Sequence, residues 1–308
     1  MNVKRKSLVL AVICTVAICL LRIGYGWDAP AEKDAKQNMR IVAVVDNEIQ
    51  TVSYPAPEYL QLMNIFSKTE SLDENRFETL EIDKKQIGMI LPHHLLAGHE
   101  ILKAYREIAD FDPELIILMS PNHQGRINAP ILSRKEPLIA FDTIFLMDDC
   151  VLEMENKHLI RYDKELLLLE HGIYNHLPFL SEVGFDAPIL TLVVARNTSV
   201  EQLDAVHAYL NDYTKNKKVL WIASIDFSHY LPAAMANTKD DETMEWIENR
   251  NYEAIAKSTS DHLDAPGVLR LWLKQFENTK LLWHSNSAEI SDGFHDVPGT
   301  SYLIYYGE

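Results

Sequence analysis

Short apolar runs alternate with segments of helical periodicity along the last two-thirds of the chain. The runs at residues 87–91, 115–119 and 219–223 are too short for typical helices and rich in branched side chains, so they predict buried strands. Alternation of such strands with helices is typical of an α/β fold. We therefore expect a single domain with a mainly parallel central sheet flanked by helices. The same patterns predict further strands at residues 39–45, 187–194, 280–284 and 300–306, and helices at residues 59–66, 95–109, 199–213, 240–256 and 265–276.

Histidine or aspartate follows each of the three apolar runs. His93 comes after the first run, His123 after the second, and Asp226 and His229 after the third. Because ligands of open α/β sheets lie beyond the carboxyl ends of the strands, these side chains are candidates for one shared site. The alternative is that they are independent loop residues with no common role.

A further group of polar residues follows the apolar run at residues 166–169. It contains Glu170, His171 and His176. A carboxylate beside a histidine can fix the tautomer of the imidazole, whether that ring serves as a metal ligand or as a proton shuttle. We therefore add this group to the candidate site.

The N-terminus has the pattern of a targeting segment. Lys4, Arg5 and Lys6 precede an uncharged apolar stretch at residues 7–21, and the apolar character resumes after Arg22 up to Trp27. Two interpretations are open: an uncleaved signal anchor, or a signal peptide cleaved near residues 24–26. Both predict a signal at residues 1–27, a tether at residues 28–38 and a domain at residues 39–308. That domain is then extracytoplasmic, anchored to the membrane or secreted if the signal is cleaved.

Composition excludes several classes of function. The 308 residues carry a formal net charge of −16, which argues against sequence-independent binding to nucleic acid or to anionic lipid. Cys14 and Cys19 lie in the N-terminal apolar stretch, so Cys150 is alone in the domain and forms no disulfide there. No basic residue next to Cys150 lowers the pKa of its thiol, so we do not expect a nucleophile.

Four sequence blocks together resemble one known family. They are LPHHLLAG at residues 91–98, SPNHQG at 120–125, EHGIYNHLPF at 170–179 and SIDFSHY at 224–230. Their residues and order resemble the Memo-like family, which includes the prokaryotic proteins called AmmeMemoRadiSam system protein B. The resemblance implies a fold like that of the class III extradiol dioxygenases, which use non-haem Fe(II), and a protein that binds iron or copper.

The resemblance also implies roles for individual residues. His93 and His123 match metal ligands of the family, and Asp226 and His229 match residues that line the same cavity. The third family ligand is a cysteine, and aligning the family proline with Pro266 puts this position on His262. One alternative is that His262 replaces the cysteine as a ligand, which would favour Fe(II), Zn or Cu(II) over Cu(I). The other is that His262 is a surface residue and the third ligand is lost.

The sequence therefore predicts a mononuclear metal site held by His93, His123 and His262. Asp226, His229 and His171 would act as acid or base groups around an Fe(II) or copper ion, with zinc as a further option. The expected function is oxidation–reduction of a small molecule. Two alternatives are a non-catalytic module that binds a metal or a peptide, and a metal-dependent hydrolase with Asp226 or Glu170 as base.

Overall fold

The computed structural model describes residues 40–45, 48–53, 61–62, 64–66, 80–125, 129–140, 143–163, 170–291 and 297–308. Residues Arg40–Glu308 form one compact unit. The strands, numbered in chain order, are β1 (Arg40–Val45), β2 (Glu48–Ser53), β3 (Gln86–Leu91), β4 (Leu115–Pro121), β5 (Ile131–Ser133), β6 (Leu138–Ala140), β7 (Thr143–Phe145), β8 (Arg161–Tyr162), β9 (Ile189–Val194), β10 (Val219–Ser224), β11 (His229–Leu231), β12 (Thr279–Asn286) and β13 (Gly299–Gly307).

Helices separate most of the strands of the main sheet. A short 3-10 turn at Leu95–Ala97 leads into the first α-helix. The α-helices are α1 (Gly98–Glu107), α2 (Cys150–Asn156), α3 (His171–Tyr174), α4 (Leu177–Glu182), α5 (Val200–Thr214), α6 (Ala233–Glu248), α7 (Tyr252–Lys257), α8 (Pro266–Gln275) and α9 (Ser287–Ile290). Residues 61–62 and 64–66 are also helical and lie within the helix predicted at residues 59–66.

Four parallel strands form the centre of the main sheet. Among the described strands, the order is β11–β13–β3–β10–β4–β9–β5–β8, with β12 also paired to β13. β3, β10, β4 and β9 run parallel, whereas β13 and β5 flank them in the antiparallel direction. The prediction of an α/β fold with a mainly parallel central sheet is therefore confirmed.

The apolar runs form this centre because both of their faces are covered. Every residue of β4, β9 and β10 is buried, and β3 is buried from Ile87 onwards. Burial on both faces explains why these strands have no polar alternation. In the register, Leu91 lies beside Ser224 and Met119 lies beside Ala223, so the three strands end at the same edge.

Helix α8 packs closely against one face of the sheet. Trp272 and Phe276 lie over β3 and β13, where a Cβ atom on Gly88 would be 2.2 Å from Phe276 Cε2. A Cβ atom on Gly307 would be 2.7 Å from Trp272 Cζ2. The missing side chains at these two positions are what allow the helix to lie so close.

A second, smaller sheet consists of four antiparallel strands. Its order is β2–β1–β6–β7. Its last two strands, β6 and β7, pair in the antiparallel direction with Leu138 opposite Phe145. The strand predicted at residues 39–45 pairs with β6 in this sheet.

The prediction of a single helix at residues 240–256 is wrong in two respects. Helix α6 starts earlier, at Ala233, and the segment then breaks into α6 and α7. At the break, Arg250 has a left-handed backbone with φ of 53°. Its guanidinium donates hydrogen bonds to the carbonyl groups of Leu273 and Glu277. These tertiary contacts hold the interruption, which the local apolar pattern does not indicate.

The predicted N-terminal membrane anchor is not upheld, and the same correction applies to the extracytoplasmic location inferred from it. The segments assigned to the signal and the tether, residues 1–38, lie outside the described residues. Within the described part of the chain, no helix has both the length and the apolar character needed to span a bilayer.

Candidate metal centre

Three imidazoles from three distant segments meet at the carboxyl edge of the central strands. His93 follows β3, His123 follows β4, and His171 begins α3. One ring nitrogen from each lies within 4.8 Å of the others. The ring centroids are 4.9 Å apart for His93 and His123, and 4.0 Å apart for His123 and His171. The structure places the two predicted ligands His93 and His123 beside each other, and the third imidazole beside them is His171, not the predicted His262.

His93 is fixed on all sides. Its backbone N–H donates to Asp226 Oδ1 at 3.1 Å, and its carbonyl accepts from Asn175 Nδ2 at 2.9 Å. Its Nδ1 lies 3.0 Å from Ser224 Oγ, which leaves Nε2 directed at the centre of the site. Burial, together with the neighbouring imidazoles, lowers the pKa of His93 well below its usual value. The ring is therefore neutral, as a metal ligand must be.

Glu170 holds His123 through two hydrogen bonds. Its Oε2 accepts from the His123 backbone N–H at 3.0 Å, and its Oε1 lies 2.6 Å from His123 Nδ1. This carboxylate is fully buried and leaves His123 Nε2 to face the site. Burial by itself lowers the pKa of His123, but Asp264 and Glu170 outweigh it and raise that pKa to about 10.

His171 stands at the start of a short helix that Glu170 caps. Glu170 Oε1 accepts from the Gly172 backbone N–H at 3.1 Å. Burial and the nearby His123 lower the pKa of His171 to about 4. The sequence suggested that Glu170 would orient the ring of its neighbour His171. In the structure, the carboxylate forms its hydrogen bonds chiefly with His123.

Two carboxylates face the imidazoles, that of the buried Asp226 and that of Asp264, which is 12% exposed. Asp226 Oδ2 lies 3.5 Å from His93 Nε2. Asp264 Oδ2 lies 3.5 Å from His93 Nε2 and also 3.5 Å from His123 Nε2. Burial and the charge of Asp264 raise the pKa of Asp226 well above its usual value. Asp226 therefore has the tendency to hold a proton that an acid catalyst needs.

A cavity of about 290 Å³ opens beside this cluster. Its polar lining includes His93, His94, His171, Tyr174, Asn175 and Asp226. His94 Nδ1 lies 2.5 Å from the hydroxyl of Tyr302, which orients that ring at the rim. The size suits a small molecule.

The donor atoms fit a transition-metal ion. Nitrogen ligands about 2.0–2.1 Å from one ion lie roughly 3–4 Å from each other. The observed limit of 4.8 Å exceeds this range, so the most widely separated rings must each move inward by roughly 0.4–0.9 Å to share an ion. Imidazoles held at Nδ1 by a hydroxyl or a carboxylate, as His93 and His123 are, present Nε2 to an ion, which is the arrangement that metal-binding histidines need.

Comparison with known proteins identifies the family. Residues 61–293 match the family model described as Memo-like protein. The chain belongs to this family. The resemblance in the four sequence blocks is thereby confirmed.

Several Memo-like relatives match over most of their length. A MEMO1 family protein of Methanosarcina barkeri is 29% identical, with 74% of this chain and 90% of that protein covered. Another, from Pyrobaculum arsenaticum, is 26% identical, with 82% of this chain and 95% of that protein covered. An uncharacterised Escherichia coli K12 protein of known crystal structure overlaps at a TM-score of 0.46, with 11% identity and coverage of 72% of this chain and 99% of that chain.

His262, aligned with the Memo-like cysteine ligand, lies apart from the three clustered imidazoles. Its Nε2 is 2.9 Å from Glu242 Oε2, and its ring packs against Trp246 at 4.5 Å between centroids. Both partners belong to α6. The structure groups His171 with His93 and His123 instead, although the sequence suggested His171 as an acid or base group.

The other residues considered in the sequence analysis lie in different places. Burial is the main cause of the lowered pKa values of His93 and His94, and His229 is close enough to lower both further. His176 instead packs in the core, with its Nδ1 at 2.9 Å from the Tyr105 hydroxyl. Cys150 is buried, and burial raises the pKa of its thiol.

Asp264 is the residue of the site that sequence reasoning missed. It lies two residues before Pro266, inside the segment aligned for the third ligand. The sequence feature that could have indicated Asp264 is its position as a carboxylate at the start of a helix whose first turn contains proline. The resemblance pointed to His262 instead, because aligning the family proline with Pro266 puts the cysteine position there.

Proposed function

We propose that this Memo-like protein binds one transition-metal ion through His93, His123 and His171 and uses it in oxidation–reduction of a small molecule. The observation that carries the proposal is the convergence of three ring nitrogens within 4.8 Å from three separate segments. The family resemblance and a donor set suited to iron or copper support the redox assignment.

The bound ion would supply Lewis acidity and, if it is iron or copper, the capacity for electron transfer. Ser224 and Glu170 orient the rings that hold it. Their hydrogen bonds keep both Nδ1 atoms away from the ion and both Nε2 atoms towards it.

Asp226 is suited to transfer a proton to the bound molecule. Its Oδ1 accepts from the His93 backbone, so the acidic proton belongs on Oδ2. The carboxyl group lines the cavity, and its raised pKa favours the protonated form that an acid catalyst needs. His229 provides a second, partly exposed proton carrier at the same edge.

Glu170 is less suited to act as the base of a hydrolase. Its two oxygens accept from the His123 backbone, the His123 ring and the Gly172 backbone. A group held in this way positions others and is not free to take a proton from a substrate. The hydrolase alternative therefore depends on Asp226 alone.

The first test is the metal content of the purified full-length protein. We expect about one equivalent of metal in the wild type and a loss of most of it in His93→Ala and His123→Ala, because each change removes a ring nitrogen from the ion. His171→Ala and His262→Ala form a matched pair. The first should lose metal, whereas the second should retain it. Elemental analysis by mass spectrometry measures all five proteins.

Unchanged metal content in both His93→Ala and His123→Ala would remove the proposal. The redox assignment needs a separate measurement. Dioxygen consumption with the iron- or copper-loaded protein, absent with zinc, would support oxidation–reduction. Turnover that zinc supports equally well would favour hydrolysis, and binding without turnover would favour a non-catalytic module.

A further inference from the structure

We infer that Asp264 is a ligand of the same ion, so that one carboxylate joins the histidines in holding it. The inference rests on the proposed metal-binding function and adds a residue to it. In this chain the carboxylate takes the role that the family resemblance assigns to a cysteine and that the alignment places on His262.

The distances to two imidazoles carry the inference. Asp264 Oδ2 lies 3.5 Å from His93 Nε2 and 3.5 Å from His123 Nε2. Two ligands about 2.1 Å from one ion in a tetrahedral arrangement are roughly 3.4 Å apart. The three atoms therefore have the spacing of ligands that share an ion.

Among the described residues, the carboxylate of Asp264 forms ion-pair contacts only with these two imidazoles. Both of its oxygens are inaccessible to solvent, and 3.5 Å is too long for a good hydrogen bond. A buried carboxylate needs a counter-charge or strong donors close to its oxygens, and the nearby Asp226 is a second acidic group. A metal cation in contact with Oδ2 would supply that charge for Asp264.

The backbone holds Asp264 in place independently of any ion. Its N–H donates to the Asp226 carbonyl at 3.1 Å, and its carbonyl accepts from Arg196 Nη1 at 3.1 Å. Arg196 Nη1 also donates to the Leu263 carbonyl at 2.9 Å. Because Arg196 binds carbonyl groups, the carboxylate remains directed at the imidazoles.

A carboxylate ligand changes which metal the site prefers. Oxygen is a harder donor than the thiolate of the family pattern, so it disfavours Cu(I). Imidazole and carboxylate ligands occur together in many non-haem Fe(II) sites, most often as two histidines and one carboxylate, and the set here has one more imidazole. Asp264 therefore makes Fe(II), rather than Cu(I), the metal that this chain selects.

The test measures Co(II) binding to the full-length protein, with Co(II) as a coloured substitute for Fe(II). Asp264→Asn keeps the shape of the side chain and removes its charge. It should weaken Co(II) binding by more than the roughly 10–100-fold typical of residues that only support a ligand. Asp261→Asn, an exposed change on the same loop, should leave the affinity unchanged. Asp264→Cys should keep one equivalent of Co(II), gain a thiolate-to-cobalt absorption band and bind Cu(I) more tightly than the wild type.

Two results would overturn the inference while leaving the proposed function intact. One is Co(II) affinity of Asp264→Asn within about threefold of the wild type although His93→Ala has lost the metal. The other is a Co(II)-loaded Asp264→Cys protein without the thiolate band, because a sulfur atom at this position would then not reach the ion. Failure of the wild type itself to bind any metal would overturn the inference and the proposed function together.

Discussion

Gly172 is the residue on which the spacing of the site depends most. A Cβ atom at this position would lie 2.2 Å from Ser120 Oγ on β4 and 3.2 Å from Ser224 Oγ on β10. Ser224 is the hydroxyl that orients His93. The absence of a side chain at Gly172 thus lets α3 bring His171 against the ends of two central strands.

We expect Gly172→Ala to reduce both stability and metal binding. The added methyl group must push α3 away from the sheet, a change that typically costs about 1–3 kcal/mol in a packed core. The same shift moves His171 and Glu170. Urea unfolding and metal content measure the two effects.

Ser120→Ala in the Gly172→Ala background is the control. It removes the hydroxyl with which the new methyl group collides, so the double variant should regain part of the lost stability. Equal stability of Gly172→Ala and the wild type would show that α3 does not depend on this contact.

At the scale of elements, α5 shows how local signals define a helix that has no role in the site. Ser199 Oγ accepts from the Gln202 backbone N–H at 3.2 Å, so Ser199, the first residue of the predicted helix, is its N-cap. Leu203, Val206 and Leu210 lie on the buried side of the helix. The cap and the apolar spacing are both local, which is why this helix was predicted within a residue of its observed bounds.

Ser199→Ala should destabilise the protein by about 1 kcal/mol, because it leaves a backbone N–H of the first turn without its partner. Ser199→Thr retains the oxygen and should have a much smaller effect. Metal content should stay unchanged in both, since α5 contributes no ligand to the cluster. Chemical denaturation separates the two variants, and an equal loss in both would contradict a capping role.

At the scale of the whole molecule, one buried carboxylate connects elements that are distant in the chain. Asp240 of α6 accepts from Ser228 Oγ at 2.6 Å, Ser301 Oγ at 2.7 Å and His284 Nε2 at 2.8 Å. These partners belong to the loop before β11, to β13 and to β12. The hydrogen bond with Asp240 raises the pKa of His284 although partial burial opposes it.

This ion pair predicts a pH-dependent part of the stability. Because the folded protein raises the pKa of His284 above its unfolded value of about 6.5, the stabilisation is complete below that pH and is lost as the pH rises through the folded pKa. The difference in unfolding free energy between the wild type and His284→Gln should therefore be larger near pH 6 than near pH 9. Glu289 and Asp241 also favour the charged ring and so raise the pKa of His284 further. A difference independent of pH would contradict the pair.

Most of the central architecture followed from local patterns. The runs that became β3, β4, β9 and β10 are apolar throughout because both of their faces are covered. Their parallel direction also follows, since helices connect them. The break at Arg250 was not predictable, because it depends on carbonyl groups of α8 and the residues after it.

The sequence by itself determined that the chain has an α/β fold, that it resembles the Memo-like family, and that His93, His123 and Asp226 lie at one edge of the sheet. These conclusions follow from the periodicity of apolar residues and from the polar residues that come at the carboxyl ends of parallel strands. Only the tertiary structure decided which other side chains join them. It brought His171 and Asp264 to the cluster and directed His262 to Glu242, because side-chain direction at a loop or a helix start depends on packing between elements rather than on spacing along the chain.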